Sequence, residues 1–535
     1  MLTKEKKIKV ISTKKPSFTQ KYIQYFILAG IIFMAIALRW VTADFEMIGG
    51  PDSWWFYRHA QEIYSNHFQL PQWDALSYYP PGRPFEPSFG WSYTLAIFYA
   101  ITQPFFPDLT LMKFSGLFVA VFASWVAIPA YLVGRMITNK WGGLTSALFA
   151  VLSPRFVLLS VAGVPDSDSV VVFYTFVAVL TTFYAIKKAN KLDFGNFKNF
   201  YMSLIKYLPY TAPALLAYWL FAVNWSFSWY IYFIFLFFIP ILILFKLLEA
   251  KIFRRESGFF SLTFQKIRES RNIIIPVVLI GLLGELISLF THQSLYFIRT
   301  LDQQLIHGLS FLRADTLELA GLAILFTSLG VITGLSVSRV KGLLIGGAIG
   351  FIISILLLSS GISEEISLVD RSVSELQVIK LSLSGFGEIS RTTGGAPIIF
   401  GVIGISGILL SKLIKKREIT AFEYFLLFWI IVGLFLVTAG TRFSLLLLLA
   451  LAVAGGFTIG HLVEFAKSRK RIGLAPQLYG LIIVGIVLLV ADNVNYAYTL
   501  SGAVGIPQGW IDGLTWLKEN ADKNSLILTC GIMVT

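Results

Sequence analysis

Cysteine is all but missing: Cys530 is the only one, so no disulfide can form within the chain and no cysteine-based zinc site can be built. Charge is sparse as well, at 14% of residues against 56% hydrophobic, with a mean hydropathy of +0.73. That balance excludes a soluble domain. No internal repeat or low-complexity tract interrupts the 535 residues. A small-residue cleavage site is also lacking after the first apolar run, so the lysine-rich start reads as an uncleaved signal anchor. What the chain has instead is a succession of apolar stretches near the ~20 residues that cross a bilayer, the mark of an all-α polytopic membrane protein. Its formal charge of +14 is scattered between those stretches. Membrane topology accounts for it, and no nucleic-acid partner is expected.

Runs of spanning length fall near 22–40, 111–134, 141–161, 169–187, 207–223, 227–247, 273–291, 319–337, 343–360, 398–415, 420–438, 443–463 and 474–493, which predicts about 13 transmembrane helices. A shorter run at 91–106, set between prolines, is predicted to lie at the interface or re-enter without crossing. With the N-terminus in the cytoplasm, the inside loops hold 31 of the 44 Lys and Arg residues, as the positive-inside rule requires. Letting 91–106 cross would reverse every later loop and place the basic stretches 251–271 and 467–471 outside. Acidic residues show the opposite bias, with 8 of 30 on the inner side. The expected organisation is a cytoplasmic tail (1–21), a transmembrane domain (22–493) with long external loops at 41–110 and 361–397, and the start of an external C-terminal region (494–535).

That topology puts Asp52, Asp166, Asp168, Glu375 and Arg442 on one external face, although their convergence was not used to build it. Each has an ordinary reading by itself. Asp52 could cap a helix beside an aromatic belt, Asp166 and Asp168 could complement the N-terminus of the 169–187 span, and Arg442 could snorkel from a helix end. Jointly they say more. Carboxylates clustered without a His or Cys partner suit a hard cation such as Mg²⁺ or Mn²⁺, usually shared with substrate phosphates. Phosphate at a membrane implies a lipid carrier, and a cation bridging carboxylates and lipid phosphate would neutralise a departing phosphate. Those are the parts of a glycosyl-transfer site.

Longer motifs accompany these residues: Asp52-Ser53-Trp54-Trp55-Phe56-Tyr57-Arg58; Tyr78-Tyr79-Pro80-Pro81-Gly82-Arg83; Ser160-Val161-Ala162-Gly163 leading to Asp166-Ser167-Asp168; and Ser372-Val373-Ser374-Glu375. In this order and at these topological positions the set resembles the catalytic subunit of oligosaccharyltransferase, the C-type membrane glycosyltransferases that N-glycosylate asparagine. The resemblance implies a lipid-linked oligosaccharide donor on a polyprenyl or dolichyl (pyro)phosphate and an acceptor polypeptide bearing Asn-X-Ser/Thr, joined among membrane lipids at the outer face of the cell membrane. It further implies Mn²⁺ or Mg²⁺ on Asp52, Asp166 and Asp168, acceptor contacts from Asp52 and Glu375, and donor phosphate on Arg442, whose guanidinium suits bidentate phosphate binding.

Three departures stand out. Leu159 occupies a position where family members commonly carry arginine, and Gly50 replaces the outer acid of the first motif. After Thr529 the family continues Trp-Trp-Asp-Tyr-Gly into a soluble domain that grips the acceptor hydroxyl residue, whereas this sequence reads Cys530-Gly531-Ile532-Met533-Val534-Thr535, and a truncated external region is expected. A glycosyltransferase of the same fold acting on a lipid or glycan is the alternative enzyme. A transporter or flippase is the alternative of another class, disfavoured because its ionisable residues would sit at the bilayer midplane within inverted repeats.

Overall fold

The computed structural model describes residues 18–76, 81–84, 90–194, 196–225, 227–252, 259–291, 379, 383–438, 440–469, 475–501, 506 and 508–522. The expected spans at 319–337 and 343–360, and Glu375, lie outside them. Among the described residues the regular structure is helical apart from one two-stranded hairpin. Seven described helices are long and apolar enough to cross a membrane: Tyr22–Thr42, Leu111–Ile137, Asp168–Lys191, Trp229–Ala250, Gly395–Ile414, Thr441–Ser468 and Ala475–Tyr496. The protein is an all-α, multi-pass membrane protein.

In chain order the elements are α1 (Phe18–Arg39), α2 (Pro51–Ser65), β1 (Trp73–Asp74), β2 (Arg83–Pro84), α3 (Gly90–Thr102), α4 (Leu111–Trp125), α5 (Ala127–Ile137), α6 (Lys140–Val151), α7 (Pro154–Leu158), α8 (Asp168–Lys188), α9 (Phe197–Tyr207), α10 (Ala212–Asn224), α11 (Trp229–Ile252) and α12 (Phe259–Thr291). They continue with α13 (Leu383–Thr393), α14 (Gly395–Ile414), α15 (Ala421–Val437), α16 (Ser444–Ser468), α17 (Ala475–Ser501) and α18 (Gln508–Asn520).

The hub is α16, buried along most of its length. Lipid gives no hydrophobic drive for helix association, so close approach depends on small residues. Here Gly455 and Gly456 supply it: a Cβ on Gly455 would come within 2.7 Å of the Phe149 ring, and one on Gly456 would strike Ser146 and the Gly142 carbonyl of α6. Asn139 clamps the same crossing, capping α6 with its side-chain oxygen and donating from Nδ2 to Gly460 O at 3.0 Å.

These contacts orient the bundle. Because Asn139 at the start of α6 meets Gly460 near the end of α16, the two helices run antiparallel, and the start of α16 lies at the end of the bundle that α6 reaches at Val151. The helix α8 starts with Asp168 and ends with Lys187 and Lys188, 21 residues or roughly 30 Å away at 1.5 Å per residue. One end of the molecule is therefore acidic and the other basic.

Four of the apolar runs differ in form from a plain spanning helix. The run at 207–223 is divided among the end of α9, a turn at Leu208–Tyr210 and the 13-residue α10, and 420–438 forms the 17-residue α15. Two others depart further. The apolar run at 141–161 is not one helix: α6 stops at Val151, and Pro154 opens the separate short α7 as its first residue. Proline has no N–H for the ladder and its ring clashes with the preceding turn, so it is accommodated at a helix start. The run at 91–106 forms α3, whose 13 residues reach about 20 Å, short of a ~30 Å hydrocarbon core. Trp91 Nε1 at its start donates to Pro165 O at 3.0 Å and Tyr99 near its end donates to Leu109 O at 3.1 Å, so both ends stay at the acidic end.

Candidate functional site

Local chemistry places Asp52 at the opening of α2. Gly50 precedes the helix at φ +84°, a backbone setting that L side chains rarely adopt, and an added Cβ would lie 3.1 Å from Ser53 Oγ. This gives a physical reason for glycine where the resembling motif has an acid. Pro51 then starts the helix with its φ already set, and Asp52 sits exposed in the first turn, where the helix dipole favours a carboxylate.

The second acidic segment is folded directly against this one. Gly49 N donates to Gly163 O at 2.7 Å, Gly163 N donates to Gly116 O at 2.9 Å, and Ala162 N donates to Arg39 O at 2.9 Å. Thr42 Oγ1 adds a bond to Ala162 O at 2.7 Å. Gly163, at φ +94°, lies where a Cβ would be 3.0 Å from the Phe45 ring. Lys113 holds the intervening stretch by donating to Ala43 O at 2.8 Å and Phe45 O at 3.0 Å. Beyond this clasp the chain turns into Asp166, half-buried, whose Oδ1 accepts from Ser167 N at 2.5 Å, and Asp168 opens α8.

Beneath the clasp, Arg39 is fully buried. Its Nε donates to Ser160 Oγ at 2.8 Å, and Nη1 donates to Val151 O at 2.9 Å and Ala35 O at 3.2 Å. Ser160 Oγ in turn donates a hydrogen bond to Phe156 O, and the Phe156 ring lies 4.9 Å from the guanidinium carbon. One arginine thus ties α1, the end of α6, α7 and the second acidic segment together.

Arg58, the last residue of the first motif, is committed within the protein. It grips Asp74 in bidentate fashion at 2.7 and 2.6 Å and reaches Glu62 at 3.1 Å. Asp74, buried in the hairpin, also accepts from Leu76 N at 3.1 Å and lies 3.4 Å from His59 Nε2. His59 donates through Nδ1 to Trp55 O at 2.6 Å, so its Nε2 is the acceptor facing Arg58. Burial holds the His59 imidazole below the ordinary histidine range. The hairpin pairs Asp74 with Arg83, and Gly82 turns at φ +91° where a Cβ would meet Asp74 O at 2.6 Å. Arg58 therefore fastens the Pro81-Gly82-Arg83 stretch to α2.

Arg442 is exposed in the single turn Thr441–Phe443 just before α16, at the acidic end by the antiparallel relation of α16 and α6. The distal part of the 361–397 loop comes to the same neighbourhood: α13 packs on α7 and α16, Ser153 Oγ donates to Thr392 O at 3.2 Å, and Asn493 Oδ1 accepts from Gly395 N at 3.2 Å. Glu375, a short stretch upstream of α13, lies outside the described residues. Among the described residues no three His, Cys, Asp or Glu side chains form a ready metal cage. The structure thus brings the Asp52 and Asp166/Asp168 segments side by side and Arg442 to their end of the bundle. Sequence reasoning passed over Arg39, Asp74 and Lys113; each looks like an ordinary loop or helix-end charge until its partner from a distant segment is known.

Residues 22–491 match the family model of the N-terminal part of oligosaccharyl transferase STT3. The chain belongs to the STT3 family. Solved structures of the oligosaccharyltransferase of Archaeoglobus fulgidus share the STT3 fold. One, tethered with an acceptor peptide containing the NVT sequon, aligns with a TM-score of 0.64 at 17% identity over 94% of this chain and 58% of that one. A second, archaeal AglB in complex with an inhibitory peptide and a dolichol-phosphate, gives 0.61 at 17% over 95% and 59%. A third, in complex with Zn and sulfate, gives 0.57 at 18% over 93% and 56%. The STT3-family chain described here thus spans about three-fifths of the length of those relatives. No curated protein matches it.

Proposed function

We propose that this chain transfers a lipid-linked oligosaccharide from a polyprenyl or dolichyl (pyro)phosphate to the asparagine amide of an Asn-X-Ser/Thr acceptor, at the outer face of the cell membrane. The observation that carries the reading is the Gly49–Gly163 clasp, which seats the Asp52 segment against the Asp166/Asp168 segment in a member of the STT3 family. The solved relatives with a dolichol-phosphate, an NVT peptide, and Zn with sulfate support donor, acceptor and metal in turn.

In this mechanism Asp52, Asp166 and Asp168 would hold Mn²⁺ or Mg²⁺ as an all-carboxylate donor set suited to a hard cation, although among the described residues the three do not form a metal-holding group. The cation, when bound, supplies positive charge to the departing phosphate. Arg442 binds the same phosphate through its fork of N–H donors. Asp52 and Glu375 accept the two N–H bonds of the acceptor amide. An amide nitrogen is a poor nucleophile because its lone pair is shared with the carbonyl, and rotating that bond fully costs ~18–20 kcal/mol. Two carboxylates pulling on the two protons hold the group twisted and localise part of the lone pair, which then attacks the anomeric carbon opposite the phosphate. The bond from that carbon to the phosphate oxygen breaks, the phosphate leaves on its lipid, and one amide proton passes to an accepting carboxylate.

The test is transfer to an Asn-X-Thr peptide by the full protein in reconstituted membrane. Transfer should require the divalent cation. Glu375→Gln removes one charge-assisted hydrogen bond, about 1.5–3 kcal/mol, so transfer should fall by roughly one to two decades while donor binding holds. Parent-rate transfer by Glu375→Gln would reduce that residue to a loop carboxylate, and cation-independent turnover would remove the metal.

A further inference from the structure

At the opposite, basic end the chain builds a surface that glycosyl transfer does not use. The helix α8 arrives there with Lys187 and Lys188, a short turn carries Lys191, α9 lies across the end, and α10 leaves at Ala212. The helix α9 is started by Asn196, whose side-chain oxygen accepts from Asn199 N at 2.8 Å. Its inner face seats Leu204 and Tyr207 against Ala189, Leu192, Ile275 and Leu279, with Tyr207 donating to Ala185 O at 2.7 Å.

The outer face is unlike that of a solvated helix. Tyr201, Met202 and Ile205 are 54%, 49% and 45% exposed, and Lys198 and Lys206 are exposed on the same arc. At 100° per residue Tyr201 and Ile205 form one flank, Lys198 and Met202 the middle and Lys206 the other flank. Further cations are held beside it on aromatic rings. Lys188 lies 5.3 Å from the Tyr184 ring and 5.7 Å from Tyr210, Lys191 lies 4.3 Å from Tyr210, and Arg271 lies 3.6 Å from Phe194. Against these five cations stand Asp193 and Glu269, and Glu269 is already bonded to Lys266 at 2.8 Å.

A soluble protein partner would find this apolar patch broken by lysines. A membrane interface matches it: apolar side chains dip to the acyl boundary while long cationic chains reach up to the phosphates. We infer that α9 and its basic neighbours form a binding site for the phosphate headgroups of anionic phospholipid in the leaflet at the basic end, the cytoplasmic one by the positive-inside rule.

Two measurements on the full chain test this. In nanodiscs of phosphatidylcholine with a small share of phosphatidylglycerol, native mass spectrometry counts the phosphatidylglycerol retained by the parent and by Lys198→Gln/Lys206→Gln. Each lysine near such a surface contributes about five-fold, so the double variant should retain this lipid roughly 25-fold less tightly. Equal retention overturns the proposal, as does release of phosphatidylglycerol by millimolar inorganic phosphate, which would make the ligand a free anion. Independently of those lysines, a spin label at Tyr201→Cys in a Cys530→Ser background should relax faster with oxygen than with a water-soluble nickel chelate. The reverse order places α9 in water and sinks the idea.

Discussion

At the scale of single residues, the charges that shape the candidate site are those turned inward. Asp74 is nearly inaccessible and answers both arms of Arg58, so Asp74→Asn leaves a charged guanidinium with a weakened partner. Hydrogen bonds to charged groups are worth about 1.5–3 kcal/mol, and a loss of that order should appear as a lower melting temperature in detergent, with the 66–84 stretch cut earlier by protease. His59 gives the same unit a pH dependence. Its value is depressed in the folded chain, so the stability contributed by the neutral ring is present above the ordinary histidine value and lost as pH falls below it through the folded value. Melting temperature should therefore fall as pH drops below about 6.5, the ordinary histidine value, and His59→Phe should flatten that fall. Arg39→Lys keeps a charge but not the fork that spans Ser160 and Val151. Leaving buried acceptors unpaired costs about 1–3 kcal/mol each, to be read as a lower melting temperature.

At the scale of elements, several described helices were legible as apolar runs ending in polar or basic residues. The helix α15 is an example: Thr420 and Glu423 form a capping box at its start, with Lys412 bonded to Glu423 at 2.5 Å. The break within the run at 141–161 is not legible from hydropathy, which does not register that Pro154 must begin a helix. Nor does hydropathy show how closely helices cross. Gly456 in α16 and Gly142 in α6 meet with no room for a side chain, so Gly456→Leu should force the two helices apart. Overpacking of this kind typically costs 1–3 kcal/mol, and more where backbone is the obstacle, so a folded monodisperse variant melting with the parent would contradict the packing.

At the scale of the whole molecule, topology carried most of what the sequence revealed. Counting charges by loop put Asp52, Asp166, Asp168 and Arg442 on one side with no knowledge of contacts, and the antiparallel α6 and α16 support that side for Arg442. The backbone bond from Gly49 to Gly163 could not be read beforehand, because two peptide groups more than a hundred residues apart carry no side-chain signature. Sidedness has a direct test. In a Cys530→Ser background, Asn66→Cys and Asp108→Cys, which flank α3, should both react with an impermeant maleimide in intact cells, and Lys198→Cys should not. Labelling of only one of the first pair would mean that α3 crosses.

The partners that clasp the second acidic segment, Arg39, Thr42, Gly49 and Gly116, all precede Asp168. A ribosome adding ~5–20 residues per second therefore makes every partner in this clasp well before it makes Arg442. The candidate site is thus synthesised in separate instalments. The segments bearing Asp52, Asp166 and Asp168 come first, Glu375 follows some two hundred residues later, and Arg442 arrives last, just ahead of the buried helix α16.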